Sequence, residues 1–158
     1  MRIRSGLSKP LASLIAKQQK KWALAPEKYQ NKIFDQLIKN GAKTLFGQDH
    51  NFKDIANYEE FKLRVPVRDY EELKPYIDKI IVGQKDVLWP GMPAYFAKTS
   101  GTTSGTKYIP ITSDSVPNHI NSARNALLNY VHESGQAKFL DGKLIFLSGS
   151  PHWNQQVA

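Results

Sequence analysis

The sequence predicts an α/β chain: a helical N-terminal half, then the strands of a partial sheet. Three observations carry that expectation. Apolar residues recur at intervals of three and four from Ile33 to Leu45, the spacing that lines one face of a helix. After the turn "LWPGMP" (88–93) the period changes, and residues 94–97 and 108–111 are short apolar or aromatic runs of the kind that form strands. Between these runs lies "KTSGTTSGTK" (98–107), crowded with hydroxyls and glycines.

Residues 7–23 read as one helix. Its lysine-rich part, "AKQQKKW" (16–22), follows Leu11, Leu14 and Ile15, so the lysines belong to a solvated face. Pro26 suits the first turn of a second helix. Its stripe of Ile33, Phe34, Leu37, Ile38, Ala42 and Leu45 is expected in the core, with Gly47 as the stop. "NYEEFKLRVPVRDYEELKPYIDKIIVGQ" (57–84) then gives a short helix, a Val-Pro-Val break, and a helix opening at Asp69 and closed by Gly83. The Asp69 carboxylate can cap orphan first-turn amides, and Glu71 and Glu72 favour the helix dipole there rather than acid–base work. Ser113 or Asp114 is expected to cap a helix holding Ile120, Ala123, Leu127, Leu128 and Val131, which Gly135 ends. "KLIFL" (143–147) is a candidate buried strand. Three short strands make an unfinished sheet for so much helix, so residues 1–158 are expected to be a single incomplete domain, the beginning of a larger protein.

With 158 residues, 41% of them hydrophobic and 11% aromatic, the chain can fill a core, which argues against disorder. No run approaches the roughly 18 apolar residues of a membrane helix, and the N-terminus lacks a signal peptide's apolar segment and cleavage site. The absence of cysteine excludes disulfides and thiolate metal sites. A cytoplasmic protein with no membrane partner is therefore expected. A net charge of +8 can attract a small anionic substrate or nucleic acid, and charge alone does not choose. His50, His119, His132 and His152 lack metal-ligand spacing and are expected at the surface or at helix caps. Trp22, Trp89 and Trp153 are expected to pack rather than to stack on bases.

The segment 98–107 fails the familiar phosphate-loop pattern. Gly101 and Gly105 are separated by three residues, Thr106 intervenes before Lys107, and "YIPI" follows where a helix should start. A dinucleotide fingerprint fails for the same want of glycine spacing and a following helix. The ingredients of phosphate binding are nonetheless present. Gly101 and Gly105 can take positive φ and bring backbone amides close to oxygen; Thr99, Ser100, Thr102, Thr103 and Ser104 offer hydroxyls; Lys107 offers a cation. A solvated Ser/Thr/Gly hairpin tip has the same composition, and composition does not separate the two.

"FAKTSGTTSGTK" (96–107) resembles the phosphate loop of adenylate-forming enzymes, departing only at Thr106. Its flanks, "FKLRVPVRDYEELKPYIDKIIVGQKDVLWPG" before and "KYIPIT" after, resemble the auxin-responsive acyl-acid amido synthetase family, bacterial branch included, with good cover from Phe46 to Thr112. The resemblance implies that the chain is the opening part of a large N-terminal ATP-binding domain, with the rest of that domain and a smaller C-terminal domain absent. It implies a ligase that activates a carboxylic acid as an acyl-adenylate with ATP and transfers the acyl group to an amine or amino acid. Thr99, Ser100, Gly101, Thr102, Thr103, Ser104 and Gly105 would then hold the ATP phosphates, and Lys107 would offset charge on the leaving pyrophosphate. Hydroxyls there are donors, not nucleophiles. Arg124, on the helix after the loop, would pair the substrate carboxylate, against a reading as a solubilising surface arginine. Mg2+ would bind through residues beyond Ala158, so no metal ligand is expected in this chain, and the piece alone is expected to be inactive. The alternative is a basic, non-enzymatic binding module, with nucleic acid as its candidate partner.

Overall fold

Prolines and capping residues set most helix boundaries. The computed structural model describes residues 3–99, 105–143 and 145; among them the chain is mostly helical, with one two-stranded antiparallel sheet. The helices are α1 (Ile3–Ala23), α2 (Pro26–Gly41), α3 (Leu45–Asp49), α4 (Tyr58–Arg64), α5 (Tyr70–Ile81) and α6 (Val116–Ser134), and the strands are β1 (Tyr95–Lys98) and β2 (Tyr108–Ile111). Short 3-10 turns cover Phe52–Asp54 and Lys138–Asp141. The α/β expectation holds. The expected strand at 143–147 lies mostly outside the described residues, as do His152 and Trp153. No described helix is long and apolar enough to cross a membrane.

The chain divides into two compact units, one made of residues 1–18 with 125–158, the other of residues 19–124. In the first, Ala12, Leu128, Val131 and Ala137 form a small core with Ile15 and Leu140 packed against it. α1 thus buries Ser8 and Ala12, while Leu11 and Leu14 are exposed. The helix also begins at Ile3, not at residue 7, so Pro10 lies in its interior rather than its first turn. Ser13 Oγ lies 3.3 Å from His132 Nδ1, and the Ser5 amide donates to Asp141 Oδ1.

The second unit packs Ile38, Phe52 and Ile55 with Phe34, Ala42, Phe46, Phe61 and Val65. The apolar stripe of residues 33–45 is therefore only partly core, since Ile33 and Leu37 are about half exposed (56% and 49%). Nor is it one helix ending at Gly47. α2 stops at Gly41, and Thr44 opens α3 by accepting from the Gly47 amide (3.0 Å) while its hydroxyl donates to the Gly41 carbonyl (2.7 Å). A Cβ on Gly47 would stand 2.0 Å from the Gly41 oxygen, so glycine serves here as a close-approach residue and not as a stop. The other two leading amides of α3 are satisfied from far along the chain, Leu45 N–H by the Asp86 carbonyl (2.7 Å) and Phe46 N–H by Val87 (3.0 Å).

α5 begins as its sequence requires. Asp69 accepts from the Glu72 amide (2.9 Å) and Glu72 Oε2 from the Asp69 amide (3.0 Å), a complete capping box. Gly83 follows with φ +97°. α6 departs from expectation, because it starts at Val116 after a turn in which the Ser115 amide donates to Thr112 Oγ1 (3.1 Å). The Asp114 carboxylate, expected at that cap, accepts instead from Trp89 Nε1 (2.9 Å).

His50 takes the second of its two expected places, the C-cap of α3, and there it is buried. It is 6% exposed and stacked on Phe46 at 4.1 Å between ring centroids. A carbonyl can only accept and a guanidinium only donate, so Nδ1 donates to the Phe46 oxygen (2.7 Å) and Nε2 accepts from Arg68 Nη2 (3.1 Å). Beside it, the Tyr76 hydroxyl donates to Asp49 Oδ2 (2.7 Å).

Two predictions follow from this packing. Gly47→Ala is expected to cost about 3 kcal/mol or more, since backbone must shift, whereas Thr44→Val, which removes the cap and the hydroxyl's bond to the Gly41 carbonyl, costs about 1–2 kcal/mol; urea unfolding of both variants measures the difference. The Tyr76 phenol is held above its ordinary value by burial and then by its bond to Asp49, with Arg68 opposing. A raised folded-state value stabilises fully below about pH 10 and less as pH climbs through it. The stability gap between the native chain and Tyr76→Phe should therefore narrow in urea titrations above pH 10.

Candidate functional site

The hydroxyl- and glycine-rich segment is the tip of a hairpin. β1 and β2 pair antiparallel with Tyr95 opposite Ile111, Phe96 opposite Pro110, Ala97 opposite Ile109 and Lys98 opposite Tyr108. The ladder extends one rung further, where the Thr99 amide donates to the Lys107 carbonyl (3.0 Å) and the Lys107 amide to Thr99 Oγ1 (3.3 Å). Pro110 cannot donate to a ladder, which suits a strand with a free edge. At the base, the Ala94 amide donates to the Ile111 carbonyl (2.8 Å). Beside it a cavity of about 190 Å³ is lined by Ile80, Val87, Trp89, Pro93, Pro110 and Thr112, smaller than the usual small-molecule pocket.

Of the sequence-predicted site residues, Thr99 and Lys107 come together as the last rung, and Gly105 stands near them with φ +80° and no described residue within 4 Å of where a Cβ would be. Ser100, Gly101, Thr102, Thr103 and Ser104 lie outside the described residues. Arg124 lies exposed on α6, outside the hairpin. The Lys107 ammonium sits over the Tyr70 ring, 5.1 Å from its centroid, and among the described residues it pairs with no carboxylate. The Tyr70 hydroxyl accepts from the Tyr108 amide (2.8 Å). Sequence reasoning missed Tyr70. Its only local signal is an aromatic ring at a first helical position where the cap requires none.

This arrangement fits an anion chemically: a positive-φ glycine beside a cation whose charge no described carboxylate neutralises. It does not extend to a metal, since among the described residues no three His, Cys, Asp or Glu side chains group to hold one. A larger open cleft of about 360 Å³ over α2, lined by Phe34, Ile38, Lys39, Phe52 and Lys53 among others, contains no hairpin residue.

Residues 15–154 match the GH3 family N-terminal domain, and the chain belongs to that family. Its relatives include the indole-3-acetic acid-amido synthetase GH3.15 of Arabidopsis thaliana, 30% identical over 109 residues, which are 67% of this chain and 18% of that protein. The indole-3-acetic acid-amido synthetase GH3.3 of the same plant is 28% identical over 86 residues, 54% of this chain and 14% of the relative. The 4-substituted benzoates-glutamate ligase GH3.12, also from Arabidopsis thaliana, is 32% identical over 79 residues, 49% of this chain and 14% of the relative. The chain thus spans under a fifth of the length of these curated relatives. No solved structure matches it.

Gly105→Ala tests the tip locally. With no described residue within 4 Å of the new Cβ, the expected cost is that of φ, about 1 kcal/mol. It should appear as faster amide exchange at Thr99 and Lys107 with unchanged exchange in α5.

Proposed function

We propose that this chain supplies the phosphate-binding N-terminal part of an ATP-dependent acyl-acid amido synthetase, as one incomplete domain of a longer ligase. The observation that carries the reading is the hairpin rung. Thr99 and Lys107 close a tip rich in hydroxyls and glycines, and the lysine's charge is unopposed by any described carboxylate. Family membership supports it, since the relatives' names describe amido synthetases and an amino-acid ligase.

On this reading the amides and hydroxyls of residues 99–105 hold the β- and γ-phosphates, and Lys107 offsets the charge that gathers as pyrophosphate leaves. ATP, a substrate, supplies the leaving group: a carboxylate takes up AMP as pyrophosphate departs, and an amine or amino acid then displaces AMP. The protein's part is positional and electrostatic, with hydroxyls as donors and no protein nucleophile. Arg124 is the candidate partner for the acid's carboxylate. Mg2+ has no ligand set among the described residues, and no step here depends on it.

ATP titration into the chain by calorimetry, with inorganic pyrophosphate as competitor, tests the reading. Saturable binding is expected, weakened about tenfold by Lys107→Ala, a change of about 1.4 kcal/mol in keeping with one charge-assisted contact, and further by Gly101→Val. No saturable binding, or binding indifferent to both substitutions, would sink the proposal.

A further inference from the structure

We propose that Tyr70 is a positioning residue for Lys107, holding the ammonium where an anionic ligand of the hairpin tip meets it without neutralising it beforehand. The inference rests on the phosphate-binding reading above and deepens it.

Tyr70 touches the hairpin in two ways, one at each of two adjacent residues. Its hydroxyl accepts from the Tyr108 amide (2.8 Å), fixing the backbone one residue beyond the lysine. Its ring lies beneath the Lys107 ammonium at 5.1 Å. The phenol therefore sets where the lysine leaves the strand and where its charge ends.

The chemistry of the partner matters. A carboxylate in the same place would orient the ammonium and cancel its field, and an incoming phosphate would have to displace a like charge. A ring face attracts the cation through its quadrupole and leaves the net charge available. Tyr70 is itself held firmly. It is the first residue of α5, enclosed by the Asp69–Glu72 capping box. Two residues earlier, Arg68 donates to buried His50. The seat of the lysine is thus built from the helical layer and not from the tip.

The test combines binding with a direct view of the lysine. In the unsubstituted chain, the Lys107 ε-methylene protons should show an upfield ring-current shift by NMR, kept in Tyr70→Phe and lost in Tyr70→Leu. The Tyr108 amide should exchange faster in both variants, because both lack the accepting oxygen. ATP affinity should fall about tenfold in Tyr70→Leu and less than about threefold in Tyr70→Phe, the size of one desolvated cation–ring contact. In a Lys107→Ala background Tyr70→Leu should change affinity no further, a coupling that a merely structural tyrosine would not give. If the chain binds ATP, Lys107→Ala weakens it and Tyr70→Leu does not, the positioning role is overturned alone. Equal loss on Tyr70→Leu with and without Lys107 overturns it as well. If the unsubstituted chain binds no ATP, the phosphate-binding reading falls first and this role with it, even where the ring-current shift is present.

Discussion

The structure around the hairpin depends on how the N-terminus of α3 is satisfied. A helix of five residues, Leu45–Asp49, has more orphan amides than internal bonds. Here Thr44 takes one, and the carbonyls of Asp86 and Val87 take two more. Those carbonyls belong to the loop between α5 and β1, where Val87 is 1% exposed. Asp86 holds a left-handed φ of +57° while its carboxylate accepts from the Gly91 amide at 2.7 Å. α3 and the loop that leads into the hairpin are therefore joined by two backbone hydrogen bonds, one of them to buried Val87, and their loss would leave amides and carbonyls without these partners. Glycine at 47 is what allows the helix to sit close enough to Gly41 for this to happen.

Much of this was legible in the sequence, and the reason is local. Pro26 at a first turn, the Asp69/Glu72 pair, Gly83 and Gly135 past helix ends, and two β-prone runs flanking a glycine-rich tip each act through neighbouring residues. The failures have a common cause too. The break of α2 at Gly41 depends on Thr44 finding a carbonyl and on distant Asp86 and Val87, which no periodicity contains. Asp114 looked like a cap, but a tryptophan twenty-five positions away claimed its carboxylate. The place of His50 at a helix cap was legible, but its burial was not, because Arg68, which donates to it, lies beyond α4 in sequence.

The site divides the same way. That Thr99 and Lys107 would face each other follows from reading 94–97 and 108–111 as a hairpin, and the family to which the chain belongs was visible in the loop and its flanks. Tyr70 was invisible because its role is tertiary. An aromatic residue after a cap has no periodic meaning, and thirty-eight positions separate it from the amide it receives. Where side chains act by holding other side chains, sequence spacing carries little of the information.

The tie between Trp89 and Asp114 carries a consequence for variation in length. One residue precedes β1 and the other follows β2, so an indole–carboxylate bond shuts the stem at its base while Thr99 and Lys107 shut it at the tip. Residues added or removed between Thr99 and Lys107 lie outside the strand register. For a flexible segment, doubling the length costs only about 0.6 kcal/mol in closure entropy. The frame can thus tolerate tips of different reach while α5, β1 and β2 keep their places, so that the span between glycine and lysine is free to be tuned without rebuilding the support beneath it.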